Sequence, residues 1–157
     1  MCAILESLRA NLPDDVLLPY DEDARFLEFV KHDYEKELPE KSRKLIYFKR
    51  DKERDFAILS LFLGSGIRVN ELSNLRIRDL DFEEKQIHVL RKGGKKDVVA
   101  VSPPSMQDIK DYLAVRTERY RGSNDDTAYV FLTRVNNGVP LFQPRHLGFS
   151  KEIHESL

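Results

Sequence analysis

The sequence has few of the residues that staple small folds or bind metals. Cys2 is its single cysteine, which excludes an internal disulfide and a cysteine-built zinc site, and a lone thiol fits a reducing compartment. The histidines, His32, His88, His146 and His154, stand far apart without metal-ligand spacing, so no metal is expected. Acid pairs such as Asp14-Asp15 and Asp125-Asp126 fall in loops. No Gly-x-x-x-x-Gly-Lys-Ser/Thr loop is present: Gly93-Gly94-Lys95-Lys96 lacks the spacing and the helix start of a nucleotide-phosphate cradle, and no cofactor is expected. No apolar run reaches the length of a membrane span, and Met1-Cys2-Ala3-Ile4-Leu5-Glu6 lacks the basic start and long apolar core of a signal peptide. Neither sign of charge dominates, with 26 basic and 27 acidic residues and a formal net charge of -1, so affinity for nucleic acid would have to come from local clustering. What remains is a soluble, cytoplasmic chain of 157 residues, enough for one cored domain and too short for two.

The apolar pattern is mainly helical. Ile4, Leu5 and Leu8 mark a short first helix, and Asn11 to Asp15 a loop. Asp21-Glu22-Asp23 caps a second helix, with Leu27, Val30, Tyr34 and Leu38 at helical spacing until Pro39 ends it. Glu40 to Tyr47 reads as a short basic segment with a break near Lys49-Arg50-Asp51. Lys52 to Ser65 reads as a core helix, since only Ser60 is polar between Phe56 and Leu63. Gly64-Ser65-Gly66 stops it, and Val69 to Arg76 resumes a helix that buries Leu72 and Leu75.

A hairpin follows a brief strand over Arg78 to Phe82. Gln86 to Leu90 alternates, Val98 to Val101 returns, and Gly93-Gly94 supplies the positive φ of the turn between them. Ser102-Pro103 opens a helix in which Met106, Ile109, Leu113 and Arg116 share a stripe, with Tyr112 and Tyr120 near it. Tyr129 to Thr133 is strand-like, and Asn136-Asn137-Gly138 is a turn.

Two places carry chemistry. In Gly66-Ile67-Arg68-Val69-Asn70-Glu71-Leu72 the glycine allows a sharp bend between packed helices, so Arg68 projects from a rigid junction. A guanidinium held this way suits bidentate contact with a phosphate, and Glu71, three residues on, is placed to orient a neighbouring group. The spacing fits a plain Arg68–Glu71 surface ion pair equally well. The second place is the hairpin tip Arg91-Lys92-Gly93-Gly94-Lys95-Lys96, a basic cluster that also suits a solvated strand edge.

Together these resemble the tyrosine recombinases, the family of phage integrases and Xer-type resolvases. The run from Leu63 to Asp81 is similar to that family's first box, a small-residue turn and Gly-x-Arg-x-x-Glu-Leu followed by a leucine and acids, here Gly66, Arg68, Glu71, Leu72, Leu75, Asp79 and Asp81. The hairpin resembles the family's Gly-Lys-Gly-x-Lys-like turn, with Arg91 where glycine is common and Ala100 where proline is common. The resemblance covers roughly residues 40–141. It implies a mainly α fold with a small antiparallel β-sheet (α+β), the catalytic-domain fold of DNA breaking-and-rejoining enzymes.

The resemblance further implies Arg68 as the phosphate-holding arginine and Lys92 as the general acid for the leaving 5′ oxygen. Gly66 and Glu71 would support the site, and Arg91, Lys95 and Lys96 would reach backbone phosphates of double-stranded DNA. The family also needs a His-x-x-Arg box and a nucleophilic tyrosine that forms a 3′-phosphotyrosine. Neither matches here: His146 lacks an arginine three residues on, His154 is followed by Glu155-Ser156-Leu157, and Tyr129, the last tyrosine, comes too early.

The expectation is therefore a partial catalytic domain over 1–157. A DNA-clamping domain before it and the nucleophile segment after it are missing, and the chain is inactive in strand cleavage by itself. The alternatives are a non-catalytic DNA-binding or regulatory module, partnered with full-length recombinase subunits, and a truncation that associates with itself.

Overall fold

In the computed structural model, residues 20–91 and 93–133 are described. The expectations for the helix at Ile4 to Leu8, for Lys92, for the Asn136–Gly138 turn, and for His146 and His154 lie outside them.

The elements run α1 (Tyr20–His32), α2 (Tyr34–Glu37), α3 (Arg43–Ser65), α4 (Val69–Asn74), a 3-10 turn (Ile77–Asp79), β1 (Leu80–Asp81), β2 (Gln86–Leu90), β3 (Lys96–Ala100) and α5 (Pro103–Tyr120). The sheet is antiparallel in the order β1-β2-β3. Ile87 pairs with Val99 and Leu90 with Lys96, a register that turns Ile87, Val89 and Val99 inward and leaves His88, Leu90 and Val98 outside. Helices thus dominate, with a small antiparallel sheet, as the sequence pattern indicates.

Several boundaries differ from the sequence reading: the helix expected over Val69 to Arg76 ends at Asn74, Arg78, expected to open a strand, lies in the 3-10 turn, and the return strand expected over Val98 to Val101 is Lys96–Ala100. The helix expected to run from Asp21 to Leu38 is two pieces, because the chain bends at Asp33, whose carboxylate accepts from Lys36 Nζ at 2.7 Å. The break expected near Lys49-Arg50-Asp51 does not occur, and α3 runs unbroken through it. No glycine or proline interrupts that stretch, and its charges are placed by the helix rather than against it: Asp51 turns inward while Lys49 stays exposed. Ser42 starts α3 by accepting from Leu45 N–H at 3.1 Å, and Ser102 does the same for α5 with Ser105 N–H at 3.3 Å. Tyr129 forms only an isolated antiparallel bridge with Arg76, not a strand of the sheet.

The core lies between α3, α5 and the inner face of the sheet. Ala57, Ile58 and Leu61 of α3 meet Met106, Ile109 and Tyr112 of α5, with Leu72, Leu75, Ile87, Val130, Phe131 and Leu132 closing it. A smaller cluster of Val30, Phe48 and Leu59 holds α1 on α3, and Lys31 ties α1 to Asp108 of α5 at 2.6 Å.

This core also contains charge. Arg116, on the stripe with Met106 and Ile109, is fully buried. Among the described residues it has no carboxylate as a hydrogen-bond partner; it donates to the carbonyl oxygens of Val130 (2.9 Å), Ser123 and Tyr129. A Cβ on Gly122 would lie 2.6 Å from Arg116 Nη1 and from Leu132 Cδ1, so the chain passes the guanidinium at a distance only glycine permits. On α3, Arg54 donates to Asp55 Oδ1 at 3.0 and 3.1 Å and lies 3.7 Å from Asp51, which accepts from Tyr120 Oη at 2.6 Å.

The buried tyrosines give the fold a limit in alkali. Burial pushes the Tyr112 phenol up to about 12, and burial together with its hydrogen bond to Asp51 also raises Tyr120. The fold holds both in the neutral form, so their contribution is whole below the ordinary tyrosine value near ~10 and is lost as pH rises through the folded values. For Tyr112 alone this is about 3 kcal/mol. Urea midpoints measured from about pH 9 to 12 should fall as tyrosinate absorbance, followed alongside, rises. A midpoint flat across that range would show that these phenols titrate as in the unfolded chain.

Candidate phosphate-binding site

The site is built where α3 stops. Gly66 takes the left-handed conformation, φ 62°, that ends α3, a shape that costs glycine nothing. Ile67 is then buried at 3% exposure and pins the chain. Arg68 follows in an extended conformation as the residue that starts α4. Its carbonyl accepts the first helical hydrogen bond, from Leu72 N–H at 2.9 Å, and Leu72 and Leu75 anchor α4 in the core. The backbone of Arg68 is therefore fixed on both sides, while its side chain is 71% exposed.

Glu71 is the centre of the local electrostatics. Its side chain is only 5% exposed, yet it faces two arginines. Oε2 accepts from Arg68 N–H at 3.0 Å and from Arg91 Nη1 at 2.7 Å. Oε1 lies 3.8 Å from Arg68 Nη1, an ion pair beyond hydrogen-bond length. One carboxylate thus caps the first turn of α4 and ties it to the root of the β2–β3 hairpin.

The hairpin tip is closed by backbone bonds. Arg91 N–H donates to the Lys95 carbonyl at 2.8 Å and Gly94 N–H to the Arg91 carbonyl at 3.1 Å. Gly93 and Gly94 take φ of 83° and 79°, the positive values expected of this turn. Lys95 and Lys96 are exposed. Arg91, expected to reach a backbone phosphate, has its guanidinium occupied: Nη1 on Glu71, and Nε on Asp97 Oδ2 at 3.0 Å. These hydrogen bonds, to Asp97 first and then Glu71, raise the Arg91 pKa. The same bond, with Val98 N–H, holds the Asp97 carboxyl below the usual carboxylate range.

Beside this junction lies a groove of about 750 Å³ bordered by Glu71, Arg76, Arg78, His88, Lys96 and Asp97. Arg76 and Arg78 received no role from the sequence. The fold brings them here because Arg78 N–H bonds to the Asp126 carbonyl at 3.0 Å and Arg76 lies over the Tyr129 ring at 4.3 Å. The partner of Arg91 was equally hidden, since Glu71 is twenty residues away in sequence. Its only local signal was a charged residue where the family commonly has glycine.

Chemically, the arrangement presents the exposed Arg68 guanidinium on a rigid backbone, with two exposed lysines on a neighbouring turn. That set can hold an anion; no group of three or more His, Cys, Asp or Glu side chains that would hold a metal occurs among the described residues. Nor is any helix among them long and apolar enough to cross a membrane.

Comparison with known proteins follows the same lines. The profile described as "Phage integrase family" matches residues 28–156. The chain is 42% identical over 136 residues to tyrosine recombinase XerS of Streptococcus pyogenes serotype M5, covering 87% of this chain and 37% of that protein. It is 41% identical over 120 residues to XerS of Streptococcus gordonii, covering 76% and 33%. It therefore spans about a third of the length of these curated relatives. Among solved structures, XerA recombinase is similar with a TM-score of 0.57 and 26% identity, over 85% of this chain and 40% of that one. XerH site-specific recombinase bound to difH substrate in a pre-cleavage complex, at 24% identity and a TM-score of 0.59 over 85% and 35%, shares the fold.

Proposed function

Since the chain belongs to the phage integrase family of tyrosine recombinases, we propose that it is part of the catalytic domain of a site-specific DNA recombinase. Its task there is to grip the phosphate at which a strand is cut and rejoined. The observation that carries the reading is Arg68, an exposed guanidinium on a backbone fixed by Gly66, Ile67 and the first turn of α4. Such a donor approaches a phosphate oxygen from a backbone that needs no further ordering, so only its own side chain must settle to stabilise the charge of phosphoryl transfer.

Lys92 takes the general-acid role, protonating the leaving 5′ oxygen. Lys95 and Lys96, exposed at the turn, contact neighbouring backbone phosphates and set register rather than sequence preference. The 157 residues hold the phosphate-binding part of the chemistry without a match to the family's His-x-x-Arg box or nucleophile. Alone they bind duplex DNA and do not form a covalent adduct with it. Binding places the chain in the cytoplasm, where that DNA is.

The test is a salt titration of duplex DNA binding, read by fluorescence anisotropy. The logarithm of the affinity is expected to fall linearly with the logarithm of salt concentration. Changing Lys95 and Lys96 together to alanine lowers the slope by roughly two, close to one per lost phosphate contact. No binding at low salt, or a slope indifferent to both lysines, would overturn the reading.

A further inference from the structure

A buried carboxylate 3.8 Å from the Arg68 guanidinium that is offered to a phosphate is, on electrostatic grounds, in the wrong place. Glu71 competes with the phosphate for Arg68 and repels it. At 5% exposure its charge is poorly screened by water. The structure supplies a second cation: Arg91 makes the short bond to Glu71, at 2.7 Å, while Arg68 stays beyond hydrogen-bond length.

The Arg91 side chain is held in place on three counts. Its backbone closes the turn through Lys95 and Gly94. Its Nε is fixed by Asp97. The planar fork of a guanidinium spans two carboxylates, which the point charge of a lysine ammonium does not.

We propose that Arg91 is a positioning residue, not a DNA ligand: it neutralises Glu71 and so leaves the Arg68 guanidinium open to a phosphate oxygen. The inference rests on the reading of Arg68 as the phosphate-holding group. Without Arg91, Arg68 is the other cation paired with Glu71, and a shift of about 1 Å turns the present 3.8 Å separation into a hydrogen bond. Arg68 is then withdrawn, and an uncompensated carboxylate faces the phosphate.

The experiment uses the 157-residue chain with duplex DNA and the variants Arg91→Gln, Glu71→Gln, their combination, and Arg68→Ala. Arg91→Gln is expected to weaken binding about tenfold, in line with one lost charge-assisted contact, and to add nothing in the Arg68→Ala background. Glu71→Gln keeps an oxygen for the Arg68 N–H and removes the competing charge, so binding tightens by roughly two- to fivefold. The double variant Glu71→Gln/Arg91→Gln regains most of what Arg91→Gln loses. A direct phosphate contact by Arg91 gives no such rescue, a purely structural role still weakens binding in the Arg68→Ala background, and a double variant as weak as Arg91→Gln sinks the proposal. So does weaker binding by Glu71→Gln, which decides the matter should Arg91→Gln fail to fold.

A second reading needs no DNA. By NMR, rotation about the Arg68 Nε–Cζ bond is slowed in Arg91→Gln and restored in the double variant; unchanged rotation overturns the proposal. Should the unaltered chain fail to bind DNA, the proposed function falls, and the guanidinium measurement still decides the role of Arg91.

Discussion

Arg116→Leu is expected to destabilise the chain by at least about 3 kcal/mol, the largest effect of any single change considered, although leucine suits the apolar stripe it would join. The reason is the three carbonyls that Arg116 serves, those of Ser123, Tyr129 and Val130. They belong to a segment that runs through the core outside the three-stranded sheet, paired with the stretch from Leu75 to Arg78 by a few backbone bonds that leave these three carbonyls to Arg116. A buried acceptor deprived of its donor costs about 1–3 kcal/mol. Three at once consume much of the ~5–15 kcal/mol by which a domain of this size is stable. Burial lowers the Arg116 pKa, but a guanidinium keeps its proton throughout the accessible range, so the donors persist at any pH the fold survives. Urea denaturation followed by circular dichroism measures the loss. A leucine variant within about 1 kcal/mol of the parent would mean that other donors, water among them, satisfy those oxygens.

Arg54→Met is expected to cost about 3–5 kcal/mol, the range for breaking a buried ion pair from one side. Methionine fills much the same volume, so the loss is electrostatic rather than a cavity. Asp55 is 1% exposed and Asp51 5%, and both lie within 4 Å of Arg54. Burial by itself would raise the Asp51 pKa; the hydrogen bonds from Arg50 and Tyr120 and the charge of Arg54 outweigh it and hold the carboxyl below the usual range. A carboxyl so depressed contributes stability above about pH 4 and loses it as pH falls through the folded value. Arg54→Met should therefore shift acid unfolding to higher pH as well as lowering the urea midpoint at neutrality. An acid transition unmoved by the substitution would assign the low Asp51 value to Arg50 and Tyr120 alone.

What could be read from the chain beforehand depended on how local its cause was. The Gly66 bend, the Ser102 start of α5 and the two-glycine turn each follow from a residue's own backbone preference, and the structure has all three. The continuity of α3 was lost because a charged triplet looks like surface. Yet Asp51, Arg54, Asp55 and Ile58 recur at helical spacing, a sign that the helix carries its charges inward. Arg116 gave the same sign by sitting on the stripe with Met106 and Ile109.

At the candidate site, Arg68 and Glu71 stand three residues apart in one run and were legible together. The pairing of Glu71 with Arg91 was not, because it depends on how the hairpin folds back on α4. The grouping of Arg76 and Arg78 beside Lys96 was hidden for the same reason.

The buried arginines also bear on the order of events during synthesis. The carbonyls that Arg54 and Arg116 serve lie between Ser123 and Leu132, well after most of the helical core has left the ribosome. Until that stretch emerges, Arg116 lacks the carbonyls of Ser123, Tyr129 and Val130, whereas Arg54 already pairs with Asp55 on its own helix. The segment from Ser123 to Leu132 is then the latch that closes the core over Arg116, and the domain core is complete only once it has been made.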